Sequence, residues 1–227
     1  MGQDLITGSN LIITLFLIHF VASLFAAELR NLRLSVVAIC VQSLFLASIL
    51  FAFAKLGANP TLYWWSLTAL VTKVMLIPGL LWIYLRRFPA REIRPYLGPV
   101  PSVLIMLLLV VIFYGFIHTH VEFIAPTPEA TIEPARTNLT LALVISSLGL
   151  YVLLVKRDTV KVVIGLVLLE NGVHLSLMTL APTLPETAII GIVTNVIITV
   201  WLLLYLSGRI YVSLKTTDTS SLSKLKG

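Results

Sequence analysis

The run Val162-Val163-Ile164-Gly165-Leu166-Val167-Leu168-Leu169-Glu170-Asn171-Gly172-Val173-His174-Leu175-Ser176-Leu177 is apolar except near its middle, where an acid, an amide and a histidine stand close together. Apolar runs of this kind are read as helices that cross a hydrocarbon layer. An acid at that depth costs several kcal/mol unless it is paired, protonated or wetted. Glu170 is therefore a functional-site candidate by default, and it organises the reading of everything else.

The 227-residue chain is 58% hydrophobic and only 11% charged, whereas soluble domains average about 25% charged residues. Hydropathy predicts seven spans, at roughly 9–27, 34–56, 62–85, 100–117, 138–155, 162–180 and 187–206. Pro60, Pro89, Pro95, Pro128 and Pro182 fall between or just outside them, as helix breakers should. The fold class is all-α: a polytopic membrane protein with about seven transmembrane helices. No loop exceeds about 20 residues, too short to bury a core of its own. Asp4 is the only charge before the first apolar segment, so a signal peptide is not expected and the segment reads as a retained helix. A single cysteine, Cys40, excludes a disulfide framework and a cysteine cluster for a metal.

The net charge of +6 is a matter of placement, and nucleic acid is not an expected partner. Arg30 and Arg33 follow the first span. Arg86, Arg87, Arg91 and Arg94 follow the third, and Lys156, Arg157 and Lys161 the fifth. Arg209, Lys215, Lys224 and Lys226 follow the seventh. These alternate loops hold 13 of the 16 Lys and Arg residues; Lys55, Lys73 and Arg136 lie elsewhere. The opposite loops carry Glu122, Glu129, Glu133 and Glu186. The positive-inside rule then predicts an outside N-terminus and a short cytoplasmic C-terminal tail. The Pro- and Glu-rich stretch 119–136 divides a four-helix part, 1–118, from a three-helix part, 137–227. No internal repeat relates the two, which argues against a carrier built from inverted repeats.

Glu170 and His174 are four residues apart and project from one helix face, with Asn171 flanking it. Gly172 leaves room for a close neighbour. Such a stripe must face protein or water, because lipid offers no hydrogen bonds. It reads either as a proton-relay station or as a structural hydrogen bond between helices. Lys73 is too central in the third span to reach an interface. Pro78 has no N–H, so the carbonyl of Val74 loses its helical donor beside Lys73, an arrangement that can kink the helix and wet the site. Lys73 reads either as a proton-exchanging amine or as the partner of an acid on another helix. Trp64 and Trp65 are expected at the outer headgroup level. His19 is read as a packed, hydrogen-bonded histidine. Asn195, with Thr194 and Thr199, makes a milder polar patch in the seventh span, and Glu28 is expected to pair with Arg30 or Arg33. His118 and His120 are read as solvated. No phosphate-binding glycine loop, GxSxG, HExxH or haem-ligating histidine pair is present, so no catalytic, cofactor-binding or metal-ligating residue is expected in this chain.

The stretch Lys156-Arg157-Asp158-Thr159-Val160-Lys161-Val162-Val163-Ile164-Gly165-Leu166, leading to Glu170-Asn171, resembles the small K-type subunit of complex I and the C-type subunit of multisubunit Na+/H+ antiporters, as does the terminal Leu225-Lys226-Gly227. Over nearly the full length the chain looks more like the component E family of hydrogenase-4, the formate hydrogenlyase type. Trp65-Ser66 through Thr72-Lys73-Val74-Met75-Leu76-Ile77-Pro78 and Leu169-Glu170-Asn171-Gly172-Val173-His174-Leu175 carry that closer match. The resemblance implies a subunit in the membrane arm of a group 4 [NiFe]-hydrogenase in the cytoplasmic membrane of a prokaryote. It would be non-catalytic itself, with the nickel–iron site and iron–sulfur clusters in partner subunits of a peripheral arm. Its neighbours would be the arm-anchoring and antiporter-like subunits, and its first four helices a docking platform. The implied role is proton or charge transfer along a hydrophilic axis, through Glu170, His174, Lys73, Asn171 and Asn195. The K-type acid of the sixth span falls where this chain has Val167, and the second K-type acid aligns with Asn195, which exchanges no proton. The alternatives are a purely structural assembly subunit and an independent seven-helix transporter.

Overall fold

The computed structural model describes residues 2–56, 60–88, 98–180 and 186–214. Arg91, Arg94, Pro89, Pro95 and Pro182, and the tail with Lys215, Lys224 and Lys226, lie outside the described residues. Helix α1 (Gly2–Glu28) and α2 (Leu32–Leu56) form an antiparallel pair. The third span runs as α3 (Pro60–Ala69), a π-helical segment (Leu70–Leu76) and α4 (Ile77–Arg87). Helix α5 (Pro99–Thr119) follows, then two short helices, α6 (Val121–Ile124) and α7 (Pro128–Thr131), where the sequence suggested only a loop. The chain closes with α8 (Ala135–Val155), α9 (Thr159–Leu180) and α10 (Glu186–Leu214). The described elements are all helical. Six are long and apolar enough to cross a membrane; α10 is the seventh long helix, with Val196–Val212 as its described apolar stretch.

Local chemistry sets the ends. Asn31 caps α2, its side-chain oxygen accepting from the N–H of Arg33 at 3.0 Å. Asp158 caps α9 in the same way through Val160 N–H at 2.8 Å. Lys161 donates to the carbonyls of Ala26 and Ala27 at 2.8 and 3.0 Å, placing a cation on the negative end of α1. Glu28 does not pair with Arg30 or Arg33, as its neighbours in sequence suggested. Those arginines are exposed, whereas Glu28 meets Lys156 at 2.9 Å and Ser102 at 3.0 Å. Tyr151 joins through Ser102 at 2.9 Å. This cluster ties α5, which is otherwise mostly exposed, to the bundle. Trp64 faces outward as expected, but Trp65 is buried. Successive residues of a helix point about 100° apart, so one of the two turns inward. His118 is not simply solvated: its ring lies 3.3 Å from Glu133, and its carbonyl accepts from the Arg136 guanidinium.

Helices α8 and α9 make the closest pairing, and α9 also packs on α1, α2 and α10. Glycines permit it. A Cβ on Gly149 would stand 2.3 Å from Leu169 N, and one on Gly172 would stand 2.5 Å from the carbonyl oxygen of Ala142. Both obstacles are backbone and cannot move aside. Two apolar clusters fill the bundle. One gathers Ala26, Ile39, Leu81, Val163, Ile164 and Val167. The other gathers Phe16, Leu46, Leu50, Trp65, Leu141 and Leu175, nearer the opposite ends of the same antiparallel helices.

Gly149→Ala is expected to destabilise the protein by about 1–3 kcal/mol through overpacking. Gly79→Ala, with nothing within 4 Å of the added methyl, is expected to be neutral. Thermal unfolding of the purified chain in detergent distinguishes them; equal effects would mean that α8 and α9 are not held at this distance.

Candidate functional site

Between the two apolar clusters lies a polar layer. His19, Lys73 and Glu170 stand at the midpoints of their spans, and Gln42 within a turn of its own. Depth therefore rules out rescue by snorkelling, and each group must find a partner inside the protein.

The third span supplies the cation from its π-helical segment. Ile77 N–H donates to Thr72 O, five residues back. This wider turn precedes Pro78, whose missing N–H frees the Val74 carbonyl. That carbonyl accepts from the Cys40 thiol at 3.4 Å. Lys73, 1% exposed, points from this segment into the bundle. Single π turns recur at functional sites.

Helix α9 supplies the acceptors. Glu170 Oε2 lies 2.5 Å from Lys73 Nζ. Asn171 Oδ1 accepts from the same ammonium at 2.8 Å, and His174 Nδ1 lies 3.1 Å away. An ammonium has three protons and no acceptor; here it meets Asn171 and His174 by hydrogen bonds and Glu170 by an ion pair. The same count fixes His174. Its Nδ1 faces a donor and must accept, so the neutral ring carries its proton on Nε2. That atom, and Trp65 Nε1 on the ring tilted against it at 5.1 Å, are buried without a partner among the described residues. Neither Glu170 carboxylate oxygen has a hydrogen-bond partner among the described residues, the contact with Lys73 being an ion pair; His174 stands 4.0 Å from its second oxygen. The Glu170 side chain is 12% exposed, against 1% for Lys73 and His174, but its carboxylate oxygens are themselves buried, so it is the stem that reaches the surface.

A second limb leaves the ion pair toward α1. Asn171 Nδ2 donates to Gln42 Oε1 at 2.7 Å. Gln42 Nε2 donates to His19 Nε2 at 2.9 Å and to Ser23 Oγ at 3.2 Å. His19 Nδ1 donates to the Gln42 main-chain oxygen at 2.8 Å. His19, Ser23, Gln42 and Asn171 are all fully buried.

The structure thus brings together Lys73, Glu170, Asn171 and His174, the residues singled out in the sequence. The side chain of Asn195 lies outside the described residues. Sequence reasoning missed Gln42 and the tie from His19 to the site. Gln42 carried a signal, an amide in mid-span, but a search restricted to ionisable groups passes over it. No group of three or more potential metal ligands is found among the described residues.

Comparison with known proteins gives the class first. Residues 138–227 match the family of NADH-ubiquinone/plastoquinone oxidoreductase chain 4L, so the last three helices are those of a complex I-like membrane subunit. Hydrogenase-4 component E of Escherichia coli K12 is 32% identical over 222 residues, 97% of this chain and 100% of the relative. The proteins of the same name from Escherichia coli O157:H7 and Shigella flexneri match equally. The chain belongs to the hydrogenase-4 component E family. No solved structure is a significant match.

Lys73→Met strands the Glu170 carboxylate and is expected to cost about 3 kcal/mol or more, whereas Lys73→Met with Glu170→Gln should cost clearly less. Thermal unfolding of the full chain in detergent reads the cycle, and strict additivity would mean that the two side chains do not interact.

Proposed function

We propose that this chain contributes one proton-exchanging ion pair, Glu170–Lys73, to the hydrophilic axis of a complex I-like membrane arm. The observation that carries the proposal is an ammonium enclosed at mid-depth by an acid at 2.5 Å, an amide oxygen at 2.8 Å and an imidazole nitrogen at 3.1 Å. In contact, the pair holds opposite charges. Pulling the pair apart in a poorly polarisable layer makes both charges costly, so the proton passes from Lys73 Nζ to Glu170 Oε2 while the two are still in contact and they part as neutral groups. His174 Nδ1, also facing the ammonium, is the second acceptor available to it. Asn171 holds the ammonium without exchanging protons, and Asn195 stands where the K-type family has an acid. A displacement transmitted along the membrane arm would in this way be converted into a change of protonation.

The carboxylate oxygens are buried, and the surface nearest the pair is lateral. Along the bundle axis the site is closed by the two apolar clusters. Glu170 shares its face of α9 with Val173, which is 44% exposed. A carboxylate on that stripe calls for protein or water beyond it, not lipid, and we assign the stripe to a neighbouring antiporter-like or arm-anchoring subunit. The redox centres, nickel–iron and iron–sulfur, belong to peripheral subunits; this chain would bind none of them. The alternating basic loops support an outside N-terminus and a cytoplasmic C-terminus, in the inner membrane of a prokaryote. A formate hydrogenlyase-type complex is the assembly this reading favours.

A structural role is the competing reading. It is favoured by the Asn171–Gln42–His19 limb, which contains no acid and joins three helices. In the intact complex, Glu170→Gln keeps hydrogen bonding and removes proton exchange. Loss of proton translocation in inverted membrane vesicles, with assembly and redox turnover retained, is expected. Wild-type coupling in that variant would leave the structural role standing and end the first reading.

A further inference from the structure

We propose that His19 and Gln42 are positioning residues for the Lys73 ammonium, setting the sense of a chain of amides so that an oxygen, not an NH2 group, faces the cation. The sense is forced from both ends. At the α1 end, His19 Nδ1 stands 2.8 Å from a main-chain carbonyl, which only accepts. Nδ1 therefore carries a proton, and in the neutral ring Nε2 must accept. The group on Nε2 is the Gln42 side-chain amide at 2.9 Å, which must present its nitrogen. Its oxygen then faces Asn171, at 2.7 Å, and must receive the Asn171 NH2. That turns Asn171 Oδ1 toward Lys73, at 2.8 Å. At the other end, the Lys73 ammonium only donates, which demands the same orientation of Asn171 and hence of Gln42. Ser23 Oγ, 3.2 Å away, takes the second proton of the Gln42 amide.

The chain has one alternative sense. A proton on His19 Nε2, in either the other tautomer or the imidazolium, turns the Gln42 amide over. Gln42 then offers NH2 to Asn171, and Asn171 offers NH2 to an ammonium, donor against donor. Protonation at His19 Nε2 and an Asn171 oxygen facing the Lys73 ammonium exclude one another. The information passes between α1 and the third span by rotation of two amide dipoles, with no proton crossing them. A packed interhelical hydrogen bond would fix the same His19 tautomer through the Gln42 carbonyl alone but would not couple it to Lys73, so the state of Glu170 distinguishes the two. The inference rests on the Glu170–Lys73 pair of the proposed function, not on that pair moving protons.

Two measurements on the full chain in lipid nanodiscs test it without turnover. Nitrogen-15 histidine labelling with solid-state NMR reads the ring directly, the His19 signals being those absent from His19→Gln. The expected state is neutral with the proton on Nδ1; a proton on Nε2, or an imidazolium, overturns the proposal. Infrared spectroscopy then reads Glu170 as the protonated-carboxyl band that Glu170→Gln removes. Gln42→Met keeps the volume and cuts the chain. Its expected effect is an increase in that band of about 3- to 10-fold, the scale of one lost hydrogen bond. An unchanged band in a Gln42→Met protein of wild-type helical content overturns the proposal. If Gln42→Met does not fold, the band is read in Gln42→Leu, which also cuts the chain, and a proton on Nε2 of wild-type His19 still overturns the proposal. Failure of either test leaves the Glu170→Gln coupling result untouched, so the two proposals fall separately.

Discussion

The structure turns on the burial of one ammonium group. Lys73 stands at the middle of its span and is 1% exposed. A lone charge there would be untenable, and the observed arrangement answers it in full: a carboxylate at 2.5 Å, an amide oxygen at 2.8 Å and an imidazole nitrogen at 3.1 Å. All three come from little more than one turn of α9. The close approach of α8 to α9 at Gly149 and Gly172, the π-helical turn that presents Lys73, and the polar limb through α2 to α1 can be understood as the surroundings this requires. Replacing such a pair by apolar groups often costs little in stability. Its presence at this depth is thus weak evidence for a stabilising device and better evidence for a site whose charge matters.

Much of this was legible in the sequence. The spans followed from hydropathy because a hydrocarbon layer permits so few backbone solutions. The Glu170–Asn171–His174 stripe followed from helical spacing, and Lys73 from its depth alone. Gly172 was read as a close-approach position, and the Ala142 carbonyl lies against it. What failed was contact between elements distant in the chain. Glu28 was assigned to its neighbours Arg30 and Arg33, yet Lys156, 128 residues away, takes it. Adjacent tryptophans looked alike as anchors, yet Trp65 lies against His174. Sequence spacing fixes faces, whereas partners depend on how faces are turned toward one another. Gln42 was missed for a different reason: an amide has no charge to draw attention, although in a dry layer its unpaired donors and acceptors would also be costly.

Two electrostatic layers divide the molecule. At the end that holds the basic loops, Glu28, Lys156, Ser102 and Tyr151 form a partly open cluster, and Lys161 sits on the carbonyls ending α1. In the middle lies the Lys73 network. Val163, Ile164, Val167 and Leu168, all fully buried, separate them along α9. The resemblance to the K-type subunit is informative at this point because it is incomplete. By that resemblance Val167 would stand where the K-type family has an acid; here it packs in the dry layer, and Glu170, one turn along, pairs with a lysine from a helix outside the chain 4L-like region. The first helices are thus joined to the site itself, which a platform serving only to dock partners would not require.

The composition of the network also limits what it can carry. Carboxylate, amine and imidazole exchange protons readily; side-chain amides do not, and two of them in series stand between Lys73 and His19. On the proposed reading, mobile protons are confined to Glu170, Lys73 and His174, on the α9 side of the network. The limb toward α1 transmits orientation only, because a carboxamide responds to its neighbours by turning over. A site assembled in this way has its titratable end at Glu170 and its closed end at His19. On the proposed reading, the subunit would not be a pore through the bilayer but a gate along its plane, whose charge is exchanged with a neighbour and whose state is held by a histidine that never needs to meet the proton.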